Sequence, residues 1–384
     1  MSVINHFPKQ VILGVHSIQK LSKILIDLKV NQVFIIYSAS AMKNYLQSLK
    51  EQLPAAVFYE ISKGEPTIDE LKRATNHLKD MQCDGVVAIG GGSVIDLAKA
   101  VAVKAMNPQL EISEIPTLSE LHRLPLIAIP TTAGTGSEAT KIMVLTDTSL
   151  HKKLNPSHLS LIPDVVILDA DLTRNVPASI TVYTALDALT HAIEAFVSTK
   201  ANPISDYFAK EAIRLIANNI QLVNGNPDNI EIREQLLLGS FYAGIAFSNA
   251  STNLAHATGR AIGAKFLLPH GLCVALMHPF VIEFTLESCL DRYEQIAKLM
   301  GLSSVQQIAH FLFLLNDRLG VWEAARGTLL ESLTDTEIED LTEQTISGNG
   351  ILTNRKIPTR VDIQNLFHNL SKRLQTEGSG TRWH

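Results

Sequence analysis

Short apolar runs alternate with segments of helical periodicity through the first half of the chain. Four runs have the length and residue types of buried strands: VFIIYS (33–38), AVFYEI (56–61), GVVAIGG (85–91) and LPLIAIP (124–130). Three helical segments lie between them, near 40–52, 67–80 and 93–105. This alternation predicts a mainly parallel sheet flanked by helices. We expect IMVLTD (142–147) and VVILD (165–169) to add antiparallel strands.

The pattern changes near residue 175, after which strand signals nearly vanish. The helix-period segments that follow are 179–198, 203–221, 229–247, 250–263, 271–284, 290–299 and 303–317, with more beyond. We therefore predict an α/β domain over residues 1–175 and an all-helical domain over residues 176–384. The tail GSGTRWH (378–384) is predicted to be unstructured.

A polar seam runs along one otherwise apolar helix of the second half, ALDALTHAIEAF (185–196). Asp187, Thr190, His191 and Glu194 recur at i, i+3, i+4 and i+7, so they share one helix face. An ionised carboxylate inside such a helix is costly unless something compensates it. Asp187 and His191, one turn apart, could both bind a single cation.

Two further histidines belong to unusual local sequences in the same half. His256 lies in NLAHATGRAIGA (253–264), where small residues allow helices to approach closely, and His270 lies in LLPHGL, at a turn that we expect to be rigid. A lone buried histidine is more often a hydrogen-bonded core residue than a ligand. One carboxylate and three imidazoles together suit a divalent transition metal such as iron or zinc, which would also offset the cost of burying Asp187.

Glycine-rich turns follow two of the predicted strands. In AIGGGSVIDLAKA (88–100), Gly90, Gly91 and Gly92 would let the backbone approach a ligand and adopt positive φ, and the helix that begins at Ser93 directs free N–H groups there. The run PTTAGTGSEAT (130–140) adds hydroxyls and two glycines after the next strand. The first turn is not the G-x-G-x-x-G fingerprint, and alone it could be a tight connection. Together they predict a phosphate-binding edge of the sheet.

Composition narrows the function classes. The chain has 384 residues, of which 46% are hydrophobic and 18% charged, enough apolar residues for two cores. A net charge of −5 and a pI near 6.2 give no reason to expect a nucleic-acid partner or an anionic membrane surface. We find neither a signal peptide nor an apolar run of membrane-spanning length. The three cysteines fit reduced core thiols, and we predict a cytoplasmic protein.

The motifs taken together resemble the iron-containing (group III) alcohol dehydrogenase family over roughly residues 5–370. They are GGGS after a strand, PTTAGTGSE, D-x-x-x-H-x-x-E, and H-x(13)-H-G. The resemblance implies a Rossmann-like domain and an all-helical domain, as in the dehydroquinate synthase-like fold. It implies an enzyme, often a homodimer, that moves hydride between NAD or NADP and an alcohol/aldehyde pair.

The resemblance also implies site residues. The metal, Fe²⁺ before Zn²⁺, would be held by Asp187, His191, His256 and His270. The nucleotide-binding positions would be Gly90, Gly91, Gly92, Ser93, Asp96, Thr131, Thr132 and Thr135. Lys153 matches a lysine that the family places near the cleft between domains, although a solvated loop lysine is an equal alternative.

Two positions depart from the family pattern. Many members carry a histidine four residues after the one at position 256, where this chain has Arg260. Arg260 shares a helix face with His256, so we predict a substrate with an anionic group, unless Arg260 pairs with Glu194. After the first strand of the alternating series, Ser38 stands where NAD-preferring members often place an aspartate. Without that carboxylate NADP becomes a plausible coenzyme.

Other functions remain open at this point. A zinc-dependent polyol dehydrogenase of the glycerol type would keep the fold and change the metal and substrate. A metal-dependent hydrolase would use the same cation to activate water, but the two glycine turns would then have no purpose. A catalytically inactive binding or scaffold protein is disfavoured by the presence of all four metal-ligand candidates.

Overall fold

A six-stranded, fully parallel sheet forms the centre of the amino-terminal part, in the order β1-β8-β5-β4-β2-β3. Its strands are β1 Gln10–Leu13, β2 Val33–Tyr37, β3 Val57–Glu60, β4 Gly85–Gly90, β5 Leu126–Pro130 and β8 Val165–Leu168. The computed structural model describes residues 3–62, 64–149, 152–326, 333–348 and 350–376. A separate antiparallel pair consists of β6 Leu145–Asp147 and β7 Lys152–Leu154.

Helices cover both faces of the large sheet because its central strands are apolar on both sides. The helices are α1 Leu21–Asp27, α2 Ala39–Met42, α3 Leu46–Gln52, α4 Ile68–Asp80 and α5 Gly92–Met106. Phe34 and Ile36 of β2 pack with residues of α4 and α5. Val33 and Ile35, which point the other way, pack with residues of α1, α2 and α3. This two-sided burial accounts for the continuous apolar runs from which the strands were predicted.

Two sequence-based expectations for this part need correction, and one strand was not expected. The VVILD strand is parallel, since β8 pairs in parallel with β1 and β5 and is buried along its whole length. Orientation follows from the crossover that leads into the strand, which the local sequence does not encode. β1 was not predicted, because it is a largely exposed edge strand with no clear apolar pattern. The single helix expected over 40–52 is divided into α2 and α3.

The carboxyl-terminal part is helical throughout its described residues. Its helices are α6 Ala178–Val197, α7 Pro203–Gly225, α8 Ile230–Ala250, α9 Leu254–Phe266, α10 His270–Thr285, α11 Leu290–Leu299, α12 Gln307–Arg318, α13 Val321–Arg326, α14 Asp335–Ser347 and α15 Arg360–Thr376. One continuous apolar core joins them, and α6 lies at its centre in contact with α7, α8 and α10. The parallel sheet and this helical part confirm the predicted fold class.

The predicted boundary near residue 175 falls between β8 and α6, and it stays a prediction. The tail 378–384 lies outside the described residues. The segment His270–Leu299 is long and apolar enough to span a membrane, contrary to the sequence-based expectation. Because 72% of its apolar window is buried inside the protein, we interpret it as core helix rather than as a span.

The second glycine turn is packed between the two parts of the molecule. A Cβ at Gly134 would lie 2.3 Å from Cβ of Thr184 on α6. Gly136 adopts a left-handed φ of 61°, and a Cβ there would lie 2.6 Å from Cα of Gly244 on α8. Both positions therefore exclude larger side chains, and the turn lies directly against the helices that follow the sheet domain.

Candidate active site

The polar seam of α6 is buried, as its helical spacing predicted. Asp187, Thr190, His191 and Glu194 are each at most 6% exposed. α9 and α10 direct their first turns toward this seam. α9 begins at Leu254 and brings His256, and α10 begins at His270, so His270 is the first residue of a helix rather than part of an extended turn.

Asp187, His256 and His270 form a compact cluster of ligand atoms. One ligand atom from each lies within 4.8 Å of the other two. Oδ1 of Asp187 is 3.4 Å from Nε2 of His256 and 3.7 Å from Nε2 of His270. The side chain of His270 is 44% exposed, whereas the other two are buried, so the cluster is open on the His270 side.

His191 lies beside this cluster. Its Nδ1 is 4.0 Å from Oδ2 of Asp187. Its ring stacks on that of His256 on one side and on that of Phe247 on the other, each with a centroid separation of 4.2 Å. The three predicted histidines and the carboxylate thus lie together, with His191 held by ring stacking next to the three closest ligand atoms.

Several polar atoms of the cluster are buried without a hydrogen-bond partner: Oδ1 of Asp187, Nδ1 of His191 and Nε2 of His256. Such atoms are rare in folded proteins because each forfeits its interaction with water. A carboxylate oxygen and imidazole nitrogens are the donors that iron and zinc bind. The residues therefore fit a divalent cation, which would supply the missing partner to all three atoms.

For three of the four candidate ligands the pKa is shifted in the direction that cation binding needs, and His256 is the exception. Burial alone would raise the pKa of Asp187, but His191, His270 and His256 hold that pKa well below its ordinary value. Burial lowers the pKa of His191 to about 3, so this imidazole stays neutral. Desolvation by the surrounding protein lowers the pKa of His270 as well; Asp187 opposes this shift, and the positive charges of His256 and Arg260 add to it. A neutral imidazole is the form that binds a metal.

Glu194 positions His256. Its Oε2 accepts hydrogen bonds from Nδ1 of His256 at 2.7 Å and from the backbone N–H of Asn253 at 2.7 Å, and its Oε1 accepts one from the N–H of Ala255 at 2.6 Å. The carboxylate thereby accepts hydrogen bonds from the free N–H groups at the start of α9 and directs Nε2 of His256 toward Asp187. Despite the opposing effect of burial, Glu194 and Asp187 raise the pKa of His256 to about 9. Sequence analysis placed Glu194 in the seam but missed this role.

His278 on α10 is a second residue that sequence analysis missed. Oγ1 of Thr190 donates to the carbonyl oxygen of Leu186 at 2.9 Å, so it accepts from Nδ1 of His278, which is 2.9 Å away. This arrangement leaves Nε2 of His278 as a buried acceptor without a partner. Burial lowers the pKa of His278 to about 4, so the ring is neutral. Its i+8 spacing from His270 places both on the same side of α10.

The H-G pair in LLPHGL has a steric explanation. A Cβ at Gly271 would lie 2.2 Å from the carbonyl oxygen of Tyr183 and 3.3 Å from Cβ of Asp187. Only glycine lets the first turn of α10 pack this closely on α6. The close contact places His270 within reach of Asp187.

A cavity of about 330 Å³ opens at the carboxyl ends of β2, β3 and β4. Its lining includes the predicted nucleotide-site residues Ser38, Gly91, Gly92, Ser93, Thr132 and Thr135, together with Ser40, Glu60, Ser62 and Thr184, which were not assigned to it. Thr184 lies one turn before Asp187 on α6. The cavity therefore extends from the edge of the sheet to the helix that carries the ligand cluster.

The backbone conformation predicted for the first glycine turn is wrong, whereas Gly91 and Gly92 do line the cavity. Gly90, Gly91 and Gly92 all lack positive φ. A Cβ at Gly92 would instead lie 2.8 Å from the side chain of Thr135, and one at Gly91 would lie 3.2 Å from Oγ1 of Thr132. The glycines allow the two turns to pack together, which leaves the amino terminus of α5 facing the cavity.

Three predicted nucleotide-site residues lie outside the cavity lining. Gly90 ends β4, and its carbonyl accepts from the N–H of Thr131, whose side chain lines a smaller neighbouring cavity. Asp96 is buried behind the turn, where its carboxylate accepts from Oγ of Ser137 and from the N–H of Val144. Its hydrogen bonds fix the second turn instead of reaching the cavity.

The charges of Lys153 and Arg260 act on His270, the exposed residue of the cluster. Nζ of Lys153 forms a 2.6 Å ion pair with Glu65, and half of the side chain is exposed. The positive charges of Arg260 and Lys153 contribute, after burial, to the low pKa of His270. Burial lowers the pKa of Arg260 itself, and the charge of Glu194 opposes that shift.

Comparison with known proteins identifies the family. Residues 8–170 match the family described as iron-containing alcohol dehydrogenase, and residues 181–371 match the C-terminal family of the Fe-containing alcohol dehydrogenases. The chain belongs to the iron-containing alcohol dehydrogenase family. This membership confirms the resemblance drawn from the motifs and the enzyme class, an oxidoreductase of the alcohol dehydrogenase type.

Three relatives indicate the range of the family. The chain is 42% identical over 264 residues to probable alcohol dehydrogenase EutG of Escherichia coli K12, covering 68% of this chain and 67% of that one. It is 32% identical over 306 residues to NADPH-dependent butanol dehydrogenase of Clostridium saccharobutylicum, covering 77% of each. The crystal structure of sulfoacetaldehyde reductase from Bifidobacterium kashiwanohense in complex with NAD+ is similar with a TM-score of 0.88 and 26% identity, covering 97% of this chain and 99% of that one.

Proposed function

We propose that this protein interconverts a small aldehyde and its alcohol with NAD(H) or NADP(H), using a divalent cation held by Asp187, His191, His256 and His270. The observation that carries the proposal is the set of buried, unpartnered ligand atoms next to a cavity that is lined by predicted nucleotide-site residues. Iron is the expected metal. The cation would supply Lewis acidity toward the substrate oxygen.

The protein's own residues arrange the reactants. The N–H groups at the start of α5 favour the pyrophosphate of the coenzyme, beside Gly91, Gly92 and Ser93. The nicotinamide would then extend toward Thr184, one turn from Asp187. Glu194 fixes the ring of His256, and the stacked ring of Phe247 fixes His191. These contacts pre-form the ligand set before substrate arrives.

Metal analysis and a substrate screen test this proposal together. Protein purified without oxygen is expected to contain about one divalent metal per chain and to oxidise NADH or NADPH with some member of an aldehyde panel. Asp187→Asn and His256→Ala should lose metal and turnover. His310→Ala, an exposed histidine on α12, is the matched control and should keep both. Full activity of metal-free protein would contradict the proposal.

The same experiment distinguishes the alternative function. Zinc in the purified protein, with glycerol oxidation faster than aldehyde reduction, would favour a polyol dehydrogenase of the same fold. Turnover of a hydrolysable substrate without nicotinamide would favour a hydrolase. Homodimer formation and a cytoplasmic location stay predictions; light scattering after gel filtration measures the first, and cell fractionation measures the second.

We propose further that the substrate carries an anionic group that Arg260 recognises. Arg260 is one turn after His256 on α9, and its charge helps to lower the pKa of His270 on the open side of the cluster. One structural neighbour is a sulfoacetaldehyde reductase, whose substrate is an anionic aldehyde. A guanidinium binds sulfonate or carboxylate through two hydrogen bonds.

Substitution of Arg260 tests the substrate class. Arg260→His should lower kcat/KM for sulfoacetaldehyde or glyoxylate by roughly tenfold to a hundredfold, because a hydrogen-bonded charge pair is lost. It should leave kcat/KM for propionaldehyde nearly unchanged. If the ratio between charged and neutral aldehydes does not move, Arg260 does not recognise the substrate.

A further inference from the structure

We infer that Glu60 selects NAD(H) over NADP(H), by accepting a hydrogen bond from the adenosine ribose 2′-hydroxyl and repelling a 2′-phosphate. The inference rests on the proposed function, since it requires a nicotinamide coenzyme in the cavity. Glu60 is the last residue of β3 and lies on the cavity wall. The sequence left the choice of coenzyme open, because Ser38 after β2 has no carboxylate that would repel a 2′-phosphate.

The order of the strands in the sheet indicates which end of the cavity would receive the adenosine of the coenzyme. In the proposed function the nicotinamide lies toward Thr184 on α6 and the pyrophosphate lies beside Gly91 and Gly92 beyond β4, and all three residues line the cavity. From β4 the sheet continues outward to β2 and then to β3. The remaining end of an extended dinucleotide therefore lies over the carboxyl ends of β2 and β3, where Ser38 and Glu60 are found.

Strand register places Glu60 next to that serine. Tyr37, the residue before Ser38, pairs directly with Glu60 across the two parallel strands. Adjacent strands are about 4.8 Å apart, so a glutamate side chain on β3 spans the distance to a ligand over β2. The carboxylate thus comes from the neighbouring strand and takes the place of the aspartate that is missing at position 38.

The charge of Glu60 is available to a ligand. It is exposed, and among the described residues its side chain accepts a single hydrogen bond, a long one of 3.4 Å from the hydroxyl of Tyr37. By contrast, the carboxylate of the nearby Glu70 already accepts hydrogen bonds from Tyr59, Ser62 and Arg73. Among the described residues that line the cavity, Glu60 is the only charged one.

A carboxylate at this place discriminates between the coenzymes by charge. It accepts from the neutral 2′-hydroxyl of NAD, whereas a 2′-phosphate brings about two negative charges and no donor. Ser38 and Ser40 supply hydroxyls, which tolerate either group. The structure therefore favours NAD(H), which the serine alone did not.

Binding of adenosine fragments tests the inference without metal, substrate or turnover. Calorimetry would measure the Kd of adenosine 5′-phosphate and of adenosine 2′,5′-bisphosphate, and fluorescence would measure the Kd of NADH and NADPH. We expect the wild type to prefer the ligands without the 2′-phosphate by at least about tenfold, the effect of one hydrogen bond to a charged group. Glu60→Gln should abolish most of that preference by tightening the 2′-phosphorylated ligands.

Two controls separate charge from structure. Glu51→Gln removes an acid of α3 that contacts Gln47 and does not line the cavity, and it should leave the preference unchanged. Tyr37→Phe removes the hydrogen bond to Glu60 but keeps its charge, and it should also keep the preference. A wild type that prefers NADPH, or a preference unaffected by Glu60→Gln, overturns the inference while the proposed function stands. Absence of binding by both coenzymes overturns both.

Discussion

Replacement of Glu194 by glutamine is the most direct test of how the cluster is built. Both carboxylate oxygens accept from donors that cannot turn away: backbone N–H groups of Asn253 and Ala255, and Nδ1 of His256. A glutamine has one accepting oxygen, so its NH₂ group must face at least one N–H donor at 2.6–2.7 Å. No rotamer of the amide satisfies the site.

The magnitude follows from these contacts. A buried hydrogen bond to a charged group contributes about 1.5–3 kcal/mol, and Glu194→Gln loses one or two of them. Since a neutral amide is easier to bury than a carboxylate, we expect a net loss of about 2 kcal/mol in the free energy of unfolding. Release of the His256 ring should weaken metal binding roughly tenfold to a hundredfold, as for other ligand-orienting carboxylates.

Two measurements check this prediction. Urea unfolding of metal-free protein measures the stability, and anaerobic competition against a chelator measures the Kd of Fe²⁺ or Zn²⁺. Glu211→Gln, the same change on α7 beside Arg214, is the control and should alter neither quantity. If Glu194→Gln binds metal as tightly as the wild type, orientation of His256 by Glu194 has no part in forming the site.

Three further predictions concern packing, pH and metal. Gly271→Ala should lower the free energy of unfolding by about 1–3 kcal/mol and weaken metal binding, because its Cβ would collide with the carbonyl oxygen of Tyr183. Thermal unfolding measures the loss. Gly263→Ala, whose Cβ would meet nothing within 3.4 Å, is the control and should not lower the stability. Burial raises the pKa of Glu138 from 4.5 to about 7, so the unfolded chain releases this proton first and the wild type should lose stability as pH rises from 4.5 to 7. Glu138→Gln should remove that loss, by up to about 3 kcal/mol at pH 8 in urea unfolding, and equal slopes for both proteins would contradict the assignment. Removal of metal by a chelator should lower Tm, and re-addition should restore it. Where metal is a thousandfold above its Kd, the bound cation adds about 4 kcal/mol to the free energy of unfolding. An unchanged Tm would argue against a bound cation in the folded state.

The sequence was most informative where periodicity alone determines position. The seam from Asp187 to Glu194 follows from 3.6 residues per turn, and the buried strands follow from continuous apolar runs. Residues from separate elements were harder to place. His256 and His270 could be named as candidate metal ligands from the small residues around the first and the glycine after the second. Their approach to Asp187, however, depends on how α9 and α10 pack on α6.

What could not be predicted depends on contacts between distant segments. The orientation of β8 is set by its crossover, and the exposed β1 has almost no apolar pattern. The position of Glu60 beside Ser38 depends on the register of β2 with β3, which no local motif encodes. Asp96 has a sequence position typical of the cleft, yet its side chain turns back to Ser137. A motif locates a residue along the chain, whereas its role depends on the direction of its side chain.

The glycines of the second turn connect these observations to catalysis. Gly134 packs against Thr184, and Thr184 is one turn from Asp187, so the second glycine turn and α6 are in van der Waals contact through a position that has no room for a methyl group. Hydride transfer requires the reacting atoms to be about 3–3.5 Å apart, and a displacement of about 1 Å can lower the rate a hundredfold. A side chain at Gly134 or at Gly136 would have to push this turn away from α6 or α8. If the coenzyme and the metal bind as proposed, the small residues of this turn would limit the distance between nicotinamide and substrate without touching either, because they fix how closely the turn packs on α6 and α8.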